Sequence, residues 1–175
     1  MQVKDLELTR TGGIHVSLEP GGKVSREEAY FGFRFTWLGK EQRADVTADR
    51  YLTSVWDGDN RAEDRLTNWR VIVRSAYDSP LTDTARRAAD ALIEPIVLGW
   101  IGSPDYVAAR QLAYAHAIAR AISEERYDAG RARRVFNLHR HELSAADVAR
   151  LDAACDLLAQ LLDALSEKQP AEIAQ

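Results

Sequence analysis

Cysteine is almost absent: one residue, Cys155, in 175. A single cysteine excludes an internal disulfide and any cysteine-rich zinc module, and a reducing, cytoplasmic location is the default expectation. Long apolar runs are missing too. The longest, Ala91 to Ile101, is interrupted by Glu94, far short of the roughly 20 residues a transmembrane helix needs. Residues 1–20 hold no apolar core of the signal-peptide kind, so no leader and no membrane association are expected. Lysine is scarce, 4 residues against 19 arginines, while alanine occurs 27 times. That bias fits a GC-rich gene of bacterial or phage origin, and no residue chooses between the two. Walker loops, Gly-x-Gly-x-x-Gly, nucleophile elbows and His-Glu-x-x-His are all absent from the chain, which removes the sequence signatures of several enzyme classes. No cofactor is expected.

What remains is a composition ordinary for a globular chain, with 46% hydrophobic residues, 29% charged residues and a formal net charge of −4. The length suits one domain. A net negative charge argues against coating nucleic acid with the whole surface but leaves room for a local basic patch.

The first 77 residues read as an antiparallel sheet. Leu6 and Leu8, then Ile14, Val16 and Leu18, alternate around Thr11-Gly12-Gly13, a hairpin signal. Pro20-Gly21-Gly22 predicts a second turn. Phe31, Phe33, Phe35 and Trp37 fall on one face of the next strand, because successive strand side chains point to opposite faces. This aromatic stripe resembles a base-stacking platform in spacing alone. Arg34 lies on the other face, so core packing is the expected role. Ala44, Val46 and Ala48 form the partner strand after a turn at Gly39, Tyr51 to Trp56 is ambiguous between strand and loop, and Trp69, Val71 and Val73 form the last strand.

From residue 79 the periodicity is helical. Ser79-Pro80 and Ser103-Pro104 each combine a capping serine with proline at the first helical position. The first helix is expected to bend or stop near Pro95, and an Asp83–Arg87 pair has the favourable i,i+4 order. The second helix is expected over about 105–124. A further helix starts at Ser144, where Ser144 and Asp147 make a capping-box pair and Leu143 and Val148 a hydrophobic staple. Along it, Val148, Leu151, Cys155, Leu158, Leu162 and Leu165 are spaced as an a/d seam, widened by Ala154 and Leu161. The expected architecture is therefore a single α+β domain over 1–167, with a meander sheet of four to six strands (1–77) packed on three or four helices (79–167), and a polar tail at 168–175.

Two surfaces are candidate sites. The first is the segment 126–141, with Arg126, Arg131, Arg133, Arg134, His139, Arg140 and His141 against Asp128 alone. Guanidinium forks match phosphate and carboxylate, and histidine adds charge that switches near neutral pH. Pairing with the acidic helix that follows is the plainer reading of the same residues. The second is the self-association seam Val148, Leu151, Leu158, Leu162 and Leu165. Other constellations are weak. Asp57-Gly58-Asp59-Asn60 fails as a calcium loop, since positions 5, 6 and 12 are Arg61, Ala62 and Asn68, and a polar turn is expected. His139 and His141 lack a nearby third ligand, so no metal site is expected. Cys155 sits on the apolar seam and reads as inert core. An enzyme would need a site assembled from distant residues, for instance His15, His116 or His139 beside a buried carboxylate.

The leading expectation is a non-catalytic protein-binding or assembly protein, its partner another protein or a second copy; nucleic-acid association through 126–141 comes next. For that alternative, an electrophoretic shift of labelled duplex is expected at low salt and should weaken steeply as salt rises. No shift at low salt rejects it.

Overall fold

The computed structural model describes residues 2–57, 60–124 and 128–168, with the side chains of 55–63 and 166–168 left out. It is an α+β fold in which five strands precede the helices: β1 (Lys4–Leu18), β2 (Val24–Trp37), β3 (Lys40–Asp57), β4 (Asn60–Leu66) and β5 (Arg70–Ser75), then α1 (Asp83–Ile101), α2 (Pro104–Glu124), α3 (Ala129–His139), a 3-10 turn at Arg140–Glu142, and α4 (Ala145–Lys168). The chain divides into two compact units. One comprises Met1–Val16 and Ser25–Arg110; the other comprises Ser17–Val24 and Gln111–Gln175.

In the first unit the strands are antiparallel neighbours in the order β1-β2-β3-β4, with β5 also on β3. The 18-residue β3 meets two successive partners. Its first half pairs with β5, Ala44 opposite Ser75 through Asp49 opposite Arg70; its second half pairs with β4, Leu52 opposite Leu66 through Asp57 opposite Asn60. Thr67 fills the gap between the two, since its N–H donates to Tyr51 O at 2.9 Å and its Oγ1 accepts from Tyr51 N–H at 3.2 Å. Tyr51 to Trp56 is thus strand throughout. The Asp57–Asn60 segment links β3 to β4; its Gly58 and Asp59, and the side chains around them, lie outside the described residues.

The aromatic stripe is core. Phe31, Phe33, Phe35 and Trp37 are buried, the first two cross-strand from Val46 and Ala44, and they share a core with Ala85, Ala89, Ile93 and Val97 of α1. Fully burying each large apolar side chain is worth roughly 1.5–3 kcal/mol, which makes this stripe the main apolar anchor of the unit. Trp37 and Lys40 bracket a two-residue turn, Leu38-Gly39, with both φ values positive (52° and 76°), the hand that matches strand twist.

Several expectations are corrected. Thr11-Gly12-Gly13 is not a hairpin; β1 runs straight through it. Gly12 is there because β2 comes close: a Cβ on it would lie 2.3 Å from Tyr30 O, so the glycine marks close backbone approach within a strand. Ser79-Pro80 does not start α1. Thr82 is the cap, its side chain accepting from Ala85 N–H at 3.2 Å, while Ser79 Oγ accepts from Arg43 N–H of β3. Asp83 pairs with Arg86, at 3.3 Å, in place of Arg87. Pro95 does not end α1. Pro95 and Ala91, whose carbonyl it leaves without an intrahelical donor, are both exposed, so water can serve that carbonyl while the buried face on either side continues the helix. Ser103 caps α2 as expected, accepting from Tyr106 N–H at 3.3 Å.

In the second unit the Pro20-Gly21-Gly22 turn forms, with Gly21 and Gly22 at φ 99° and 88°. Gly22 lies against α3: a Cβ there would be 3.0 Å from Val135 Cγ2. The buried side chains of this unit include Tyr114, Ile118, Val135, Phe136, Leu151 and Cys155. The expected polar tail falls outside the described residues from 169 onward, and Lys168 closes α4.

Replacing Gly12 with alanine is expected to destabilise the fold by about 1–3 kcal/mol, because backbone is what the new methyl meets. Urea unfolding of the variant checks this, and an unchanged midpoint would contradict the close approach.

Candidate functional site

The arginine-rich segment is a helix. Asp128 caps α3, its Oδ1 accepting from Arg131 N–H at 2.8 Å, and the helix turns its basic residues to several faces. Arg133 reaches across to α4 and pairs with both Asp152 and Asp156, adding a bond from Nη2 to Asp152 O at 3.3 Å. Its guanidinium also lies 5.7 Å from the Phe136 ring centroid. His139 is buried, its Nε2 hydrogen-bonded to Gly22 O and its ring 5.6 Å from that of Tyr114. These two members of the predicted site act as internal fasteners of the second unit. Arg131, Arg134, Arg140 and His141 are exposed. Arg131 lies 3.8 Å from Asp128, and His141 3.5 Å from Glu142. Arg126 lies outside the described residues.

α4 begins as the sequence says. Ser144 Oγ accepts from Asp147 N–H at 3.2 Å and donates to Asp147 Oδ2 at 2.6 Å. The predicted seam divides. Leu151 and Cys155 are buried; Val148, Leu158 and Leu162 are half-buried; Leu165 is exposed. Burial pushes the Cys155 thiol up, so it stays protonated and unreactive at neutral pH. A second row points outward: Leu157, Leu161 and Leu165 are 58%, 61% and 62% exposed. They follow one another at i, i+4 and i+8, so they form a single ridge along the helix. The leucine doublets 157–158 and 161–162 carry the signal for it, since adjacent leucines widen an apolar arc beyond one seam.

The first unit holds two buried carboxylates that sequence reasoning missed. Glu27 is fully buried. Arg50, its cross-strand partner, donates Nε–H and Nη2–H to Oε2 at 2.8 and 2.6 Å, and Arg110 of α2 donates to Oε1 at 3.1 Å. The Arg50 guanidinium stacks 4.8 Å over Trp69, which meets Tyr106 edge-on at 6.1 Å. Asp49 is one residue along β3 and therefore on the opposite face. It accepts from Arg70 at 3.1 and 3.0 Å and from Arg26 at 2.9 Å. The Glu27–Arg50 pair was within reach of period-two reading. Counting back from Phe31 through Ala29 leads to Glu27, and counting on from Val46 through Ala48 leads to Arg50.

Among the described residues no three His, Cys, Asp or Glu side chains come together as a metal site would require, and no helix is long and apolar enough to cross a membrane. His15 and His116 are both exposed, on β1 and α2. Comparison of the chain with protein-family models, curated proteins and solved structures returns no match.

The Arg70 hydrogen bonds hold the Asp49 carboxyl below the ordinary aspartate range, outweighing the upward push of burial. A depressed folded pKa stabilises the fold above the unfolded value of about 3.9 and loses that contribution as pH falls through the folded one. The stability gap between wild type and Asp49→Asn is therefore expected to be constant near neutrality and to close in acid. Denaturant midpoints across pH measure it; a gap that does not narrow as the pH falls below about 3.9 would count against the clamp.

Proposed function

We propose that this chain is a non-catalytic protein-binding or assembly protein whose interface is the outward ridge of α4. One observation carries the reading: Leu157, Leu161 and Leu165 are aligned on one face and all more than half exposed. A continuous apolar row exposed along one face of a helix is a typical protein interaction site. The chemistry-bearing groups of the interior support the same reading. Glu27, Asp49 and His139 are tied to partners within the fold, and Cys155 is a protonated core thiol. A cytoplasmic setting accords with the lone, reduced cysteine.

The alternative of nucleic-acid association has Arg131, Arg134 and Arg140 in support, all facing solvent on or just after α3. It is weaker than the sequence suggested because Arg133 is engaged by Asp152 and Asp156.

The test is the native mass of the assembly that the full chain forms in its producing cell, compared between wild type and Leu161→Asp. The wild type is expected well above the 19.6 kDa of one chain, and the folded variant is expected to fall back to it. A wild type at monomer mass, or a variant that assembles unchanged, overturns the proposal.

A further inference from the structure

We draw no further inference here: the strongest candidate, the exposed leucine row of α4 at Leu157, Leu161 and Leu165, already carries the proposed function, and nothing in the structure shows what covers it.

Discussion

A carboxylate removed from water organises the first unit. Stripping a charge of its hydration costs several kcal/mol even after relaxation, and the cost is recovered only where geometry and hydrogen bonding are good. Glu27 meets that demand with three donated bonds from two guanidiniums, one on β3 and one on α2. The ion pair sits on the same sheet face as the aromatic stripe and in the same β2–β3 register. A one-residue slip would carry Phe31, Phe33 and Phe35 to the opposite face and leave Glu27 without Arg50. Apolar burial and the ion pair therefore specify one register between them, the first by area and the second by direction.

Asp49 does the complementary work on the other face. Arg26 of β2 and Arg70 of β5 close on it from the two strands that flank β3, so the same short stretch of β3 is bound to its neighbours on both faces. Arg43, on the same face as Asp49, pairs with Asp78 at 2.8 Å, beyond the end of β5. The arginine excess of the composition is in this way largely a structural device: a planar fork can hold a carboxylate from two edges, which lysine cannot.

In the second unit the same chemistry appears between helices. Arg133 joins α3 to α4 through two acids one turn apart, and His139 ties α3 to the turn between β1 and β2. With those polar residues committed inward, α4 still leaves a row of three leucines exposed. Its apolar arc is wider than its own unit covers, and the uncovered part is the ridge.

Alternation and periodicity carried most of the fold. The stripe at Phe31–Trp37, the Gly-Gly turn after Pro20, the Ser103 and Ser144 caps and the α+β order depend on neighbours in sequence, and local patterns are sufficient for such features. The errors arose where a local signal had a distant cause. Gly12 reads as a turn residue but is required by Tyr30 of the next strand. Ser79 reads as a cap but bonds to β3. Pro95 reads as a bend or a stop; α1 does not stop there, because solvent serves its exposed side and a buried face continues on both sides of it. The candidate site followed the same division. Sequence alone determined that residues 126–141 are basic and that the helix after them is rich in leucine. Only the tertiary structure decided which arginine is engaged, which histidine is buried and which leucines face out, because those outcomes depend on what packs opposite each side chain, and a one-dimensional pattern does not contain the opposite surface.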